Sequence, residues 1–202
     1  MNKRTVFLLV FILLTTLSSC TAQNSEVYEI PFSLDKKLLV FKGKLNGIDT
    51  DFAFDTGAAE GIATTKQEEN KGIERKKSTQ KIADANGQTG ALTSVITKEM
   101  SIGGYTFSNV RATIGDMQYF YCMNLYLLGA DIIRKLNWEI DFKRMVLKVS
   151  KSRFATDSSM AVMPVNYKYN RPRVAIKIND TSYDDVLIDI GYTGVMTLPN
   201  TD

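Results

Sequence analysis

Phe52-Ala53-Phe54-Asp55-Thr56-Gly57-Ala58-Ala59 runs an apolar strand into an acid, a hydroxyl, a glycine and two small side chains. The strand fixes the direction of Asp55, and Gly57 lets the backbone turn closely beside it. Together they describe a carboxylate set at the floor of a cleft. Asp55-Thr56-Gly57 taken alone is a weak signal, because an aspartate that closes a strand also makes an ordinary Asx turn. Its meaning comes from the residues around it.

Upstream, Leu38 to Leu45 is rich in apolar residues, Asn46-Gly47 offers the positive dihedrals of a two-residue hairpin, and Ile48 to Phe54 alternates. That alternation puts Ile48, Thr50, Phe52 and Phe54 on one face. Downstream, Ile82-Ala83-Asp84-Ala85 and Ala91 to Ile96 flank a turn at Asn86-Gly87. Ile102-Gly103-Gly104-Tyr105 begins a third hairpin, and Trp138 to Phe142 with Met145 to Val149 makes a fourth around Lys143-Arg144. One short helix is predicted, from Ala130 to Leu136. The pattern is that of an all-β domain with one small helix.

A weak internal repeat extends the pattern. Lys44-Leu45-Asn46-Gly47, with its strand into Asp55-Thr56-Gly57, is echoed by Lys177-Ile178-Asn179-Asp180 and a strand into Asp189-Ile190-Gly191. Each copy couples a hairpin turn to a strand that ends in Asp-x-Gly. The polar stretch from Ser150 to Ser159 reads as the linker between them.

Composition narrows the chemistry. The 202 residues, 44% hydrophobic, are enough to bury a core. There is no histidine, which removes Ser-His-Asp and Cys-His catalysis and any histidine-ligated zinc site. Carboxylates must carry acid-base work, and no cofactor or metal is expected. The 25 basic and 22 acidic side chains, less Lys3 and Arg4, come near balance and point to no nucleic-acid partner.

Lys3 and Arg4 belong to the start of the chain. They precede an apolar run from Val6 to Leu14, too short to span a bilayer, and then small residues, the layout of a secretory signal over residues 1–20. Leu17-Ser18-Ser19-Cys20 resembles a bacterial lipobox, which implies lipidation of Cys20, a membrane partner through that anchor and an envelope location on the periplasmic or outer-membrane face. Residues 21–30 read as a tether. Cys122, among Tyr119, Phe120 and Tyr121, reads as a small buried hydrophobe.

From about Leu38 to Val149 the chain resembles the retropepsin-like aspartic proteases. The resemblance rests on Ala53-Phe54-Asp55-Thr56-Gly57-Ala58, on the hairpin at Ala83-Asp84-Ala85-Asn86-Gly87-Gln88, and on Leu127-Leu128-Gly129 before the short helix. It implies a closed β-barrel lobe over residues 31–150, a linker over 151–160, and the beginning of a second, similar lobe over 161–202. It further implies an aspartic endopeptidase acting on extended peptides. Asp55, Thr56 and Gly57 would form its catalytic loop, and Asp84, Ala85, Asn86 and Gly87 a flap over the substrate.

Such an enzyme needs a second carboxylate. That acid comes either from another copy, in a homodimer, or from Asp189 of the same chain, in which case the rest of a second lobe lies beyond Asp202. Ile190 departs from the family pattern because it has no hydroxyl, a lack for which Thr193 is a candidate substitute. A groove that binds peptides without cleaving them is the alternative function, and a purely structural β-domain a third. Other readings of these residues fit less well. Asp84-Ala85-Asn86-Gly87 has its glycine at the fourth position and Val95 where a calcium loop needs glutamate. Gly103-Gly104 lacks the lysine and third glycine of a phosphate loop. Asp49 and Asp51 flank a hairpin turn, where solvation explains them better than a metal site shared with Asp55.

Overall fold

The computed structural model describes residues 26–76, 81–83, 89–91, 93–115, 124–194 and 196–197. Strands β1 (Tyr28–Asp35), β2 (Leu38–Leu45) and β3 (Ile48–Phe54) form a meander. The β2–β3 turn is Asn46-Gly47, with φ of 50° and 79°, as its sequence requires. Next come β4 (Gly61–Ala63), helix α1 (Thr65–Lys71), β5 (Glu74–Lys76), β6 (Lys81–Ala83), β7 (Thr89–Ala91), and the long hairpin of β8 (Thr93–Ile102) and β9 (Tyr105–Ile114). Strand β10 (Tyr126–Leu128), helix α2 (Ala130–Ile133), β11 (Asn137–Asp141) and β12 (Val146–Ser150) follow.

Six of these strands close on themselves. The order β2-β3-β10-β4-β9-β8 returns to β2 through Lys44↔Ser101 and Leu45↔Met100, so the lobe is a closed six-stranded barrel, as the sequence resemblance implies. Closure removes the open sheet edges that a short-stranded domain would otherwise expose. Strand β10 lies parallel to β3 with Leu128 beside Phe54, which brings the end of β10 next to Asp55. The barrel is filled by Phe41, Phe52, Leu45, Met100, Tyr126 and Leu128, all nearly inaccessible. Phe41 and Phe52 stack at 5.6 Å, Tyr126 meets Phe52 at 5.3 Å, and Trp138 packs edge-on against Phe54 at 5.0 Å.

Four details differ from the sequence expectations. A second helix, α1, stands beside the one predicted. Thr64 and Gln67 form a reciprocal capping box and Gly72 closes α1 at φ 62°. Gln67 is fully buried and also donates to the Asn124 carbonyl at 3.0 Å. The predicted helix stops at Ile133, with turn geometry to Leu136. The hairpin expected between residues 82–85 and 91–96 is instead β6 against β7, with Ile82↔Gly90, while β8 pairs with β9. Tyr28, Glu29 and Ile30, expected in the tether, pair with Val149, Lys148 and Leu147 in β1–β12, and Ser150, expected in the linker, ends β12 and is buried.

After residues 151–165, which hold no strand or helix, β13 (Asn166–Lys168), β14 (Arg171–Ile178) and β15 (Thr181–Leu187) form a separate three-stranded sheet. Cys20, Cys122 and the flap residues Asp84, Ala85, Asn86 and Gly87 lie outside the described residues. Phe52 sits at the centre of the barrel core, so Phe52→Ala is expected to lower unfolding stability by about 3–5 kcal/mol. Urea denaturation followed by tryptophan fluorescence measures it through Trp138.

Candidate active site

Strand β3 delivers Asp55 to the end of the barrel, and two hydrogen bonds hold the loop that follows. The Asp55 N–H donates to the Leu128 carbonyl at 3.1 Å, and Ala130 N–H donates to the Ala58 carbonyl at 2.8 Å. Leu127-Leu128-Gly129 therefore packs under this loop. A Cβ on Gly129 would stand 2.5 Å from the Glu60 carbonyl carbon, too close for any other residue. The local turn is the Asx turn that Asp55-Thr56-Gly57 allows by itself: Asp55 Oδ1 accepts from Gly57 N–H at 2.7 Å and from Ala58 N–H at 3.0 Å.

A second loop faces it. Strand β15 ends at Leu187, and Ile188, whose N–H donates to the Pro172 carbonyl at 3.0 Å, leads into Asp189-Ile190-Gly191. The arrangement is reciprocal. A Cβ on Gly57 would collide with the Asp189 carboxyl, and one on Gly191 would stand 2.5 Å from Asp55 Cγ. Each carboxyl thus occupies the space left by the opposite loop's glycine, and the two lie within hydrogen-bonding reach of one another.

Thr56 joins the loops. Its hydroxyl donates to the Ile188 carbonyl at 2.6 Å and accepts from Ile190 N–H at 2.9 Å. The bridge is one-sided, since Ile190 has no hydroxyl to return it. Thr193 contributes its carbonyl oxygen, to Lys37 Nζ at 3.4 Å, and the clasp between the Asp-x-Gly loops is the work of Thr56. Asn170 adds a tie that no local sequence pattern announces, donating from Nδ2 to the Ala59 carbonyl at 2.8 Å.

Electrostatically, burial pushes Asp55 up to about 6, and the negative charge of Asp189 acts in the same direction, against the two N–H groups that favour its ionised form. Asp189 Oδ1 is buried with no hydrogen-bond partner among the described residues. The pair can hold one proton between them and present one ionised and one protonated carboxyl to a bound molecule. Beneath the loop, burial and Glu60 push Asp131, in the first turn of α2, to about 6 as well. Asp49 and Asp51 engage Lys44 and Lys42 at the surface instead of joining Asp55. Among the described residues no cluster of acids has the makings of a metal site.

Residues 41–135 match the family described as "gag-polyprotein putative aspartyl protease". Among solved structures, a retropepsin-like aspartic protease from Rickettsia conorii is similar, with 22% identity and a TM-score of 0.49, over 63% of this chain and 93% of that one. No curated protein matches the chain. Thr56→Val removes both halves of the clasp and is expected to cost about 1–3 kcal/mol, because it strands the Ile188 carbonyl and the Ile190 N–H. Thr56→Ser keeps them and should cost clearly less; the comparison is made by urea denaturation of the two variants side by side.

Proposed function

We propose that this chain is a retropepsin-like aspartic protease that hydrolyses peptide bonds with Asp55 and Asp189 as its paired carboxyls, a reading supported by the match of residues 41–135 to an aspartyl protease family and by the closed barrel that carries Asp55. The observation that carries the proposal is the reciprocal packing of the two acids against Gly191 and Gly57. The ionised carboxyl takes a proton from water as the water oxygen attacks the peptide carbonyl carbon. The protonated one gives its proton to the carbonyl oxygen. Collapse of the tetrahedral intermediate breaks the C–N bond, with a proton passed to the departing amine. Thr56 holds the loops in register, and Gly57 and Gly191 permit the approach.

The substrate is an extended peptide, bound by strand-like main-chain hydrogen bonds and covered by residues 84–87 between β6 and β7. In this reading residues 31–150 are the first lobe, 151–160 the linker and 161–202 belong to a second lobe. The second acid then comes from the same chain instead of a homodimeric partner. The lobe is tethered to a bacterial envelope by lipid on Cys20. One observation favours the other reading, a lipoprotein that binds peptides in this groove without cutting them: the clasp between the loops is made from one side only.

Cleavage of an unstructured protein such as casein decides between them. The wild-type chain should cut it and Asp55→Asn should not, whereas equal residual cleavage in both would favour binding alone. The pH profile carries a signed expectation. Asp55 is raised, so the pair keeps its shared proton below about pH 6 and loses it above. Cleavage rate should therefore fall as pH rises through about 6, approaching tenfold per unit beyond it.

A further inference from the structure

Beside Asp189 lies a cavity of about 630 Å³, within the range of small-ligand pockets. Its walls come from three separate parts of the chain: Leu34 and Lys37 at the β1–β2 turn, Phe142 at the β11–β12 turn, and Asp189, Ile190 and Tyr192 of the second loop. Leu34, Phe142 and Tyr192 are 53%, 56% and 50% exposed, so three large apolar faces stand open to solvent around one acid of the pair. Open apolar surface of this kind marks a place where another molecule sits. A second cavity, of about 680 Å³, is lined by Phe32, Lys42 and Asp51 and includes neither Asp55 nor Asp189.

Lys37 sets the chemistry of the first cavity. It and Lys36 are the two turn residues between Asp35 and Leu38, with φ of 69° and 48°. A two-residue hairpin with two positive φ angles suits Asn-Gly, and a pair of lysines there holds a conformation that side chains disfavour. Strain kept at the lip of a cleft is a reason to look for a role. Lys37 Nζ makes one long hydrogen bond, 3.4 Å, to the Thr193 carbonyl, and among the described residues no carboxylate pairs with it. It is the one cation among the described residues that line the cavity.

Resting on the peptidase reading, we propose that Lys37 is a specificity-determining residue: the cavity takes a large apolar side chain of the peptide on the Asp189 side, and Lys37 pairs with a carboxylate side chain within a residue or two of it. A neutral or basic residue there would forgo this pairing. The contact sits at an exposed rim, so its effect is modest and weakens with salt.

The test uses fluorescein-labelled decapeptides in which a Leu-Phe pair is fixed and a single Glu, Gln or Lys is moved through the flanking positions. Binding is read by anisotropy with Asp55→Asn protein at low and high salt, and cleavage is followed in parallel with the wild-type chain. At one position Glu should bind about fivefold better than Gln, the ratio should shrink in salt, and Asp55→Asn combined with Lys37→Glu should favour Lys instead. Equal binding of the Glu and Gln peptides at every position, the same Glu preference in the Lys37→Glu background, or no binding by any peptide would overturn the proposal. Glu-selective binding that Lys37→Glu reverses, without cleavage by the wild type, would uphold the role of Lys37 and remove the peptidase reading.

Discussion

Two carboxyl groups share a space that exists because residues 57 and 191 carry no side chain. Everything else in the molecule can be understood as holding that crowding in place. Like charges this close resist joint ionisation, so the approach of Asp55 and Asp189 would be repulsive at neutral pH unless the surroundings imposed it. The barrel imposes it from one side. Strand β3, braced by parallel β10, fixes the exit point of Asp55, and the Leu127-Leu128-Gly129 segment fixes the loop beyond. From the other side, β15 delivers Asp189 and the Thr56 hydroxyl ties the two loops together.

The site is lopsided in a way that bears on its chemistry. Asp55 Oδ1 is satisfied by two backbone N–H groups, whereas Asp189 has a buried oxygen with no partner among the described residues. The clasp is lopsided too, with one threonine doing what a symmetric site would divide between two. Burial, opposing the N–H bonds, raises Asp55 into the range where a carboxyl can exchange protons with a substrate near neutrality. Such a group is poor at stabilising a fold and well placed to do acid-base work. The same asymmetry extends to the cavity, where the first lobe supplies a lysine and apolar side chains and the second loop supplies its acid.

Much of this was legible in the residues, and the parts that were not have physical explanations. The Asn46-Gly47 turn, the alternation into Phe54 and the Gly103-Gly104 hairpin follow from dihedral preference and period, which are local properties. The echo of Asp55-Thr56-Gly57 in Asp189-Ile190-Gly191 pointed to the second acid, although only coordinates show each glycine making room for the opposite carboxyl. Helix α1 escapes a reading by hydrophobic period because Thr65–Lys71 contains no apolar residue and its core contact is a glutamine. The signal was present in Thr64-x-x-Gln67 and Gly72, a capping box and a left-handed stop. Asn46 read as a turn residue, yet its side chain also caps the end of α1 through the carbonyls of Lys71 and Gly72, a long-range use that no local pattern announces. Asn170 and Lys37 belong to the same class, polar residues in turns whose partners lie over a hundred positions away.

The central claim is that Asp55 and Asp189 are electrostatically one group. Carbon-13 NMR titration of the aspartate carboxyls, in the full chain and in Asp189→Asn, addresses it directly. Asp55 is expected to titrate near pH 6 in the wild type and to move to lower pH once its neighbour can no longer carry charge. An Asp55 titration at the ordinary carboxylate value in the wild type, or one that Asp189→Asn leaves unmoved, would contradict the pairing on which the account stands.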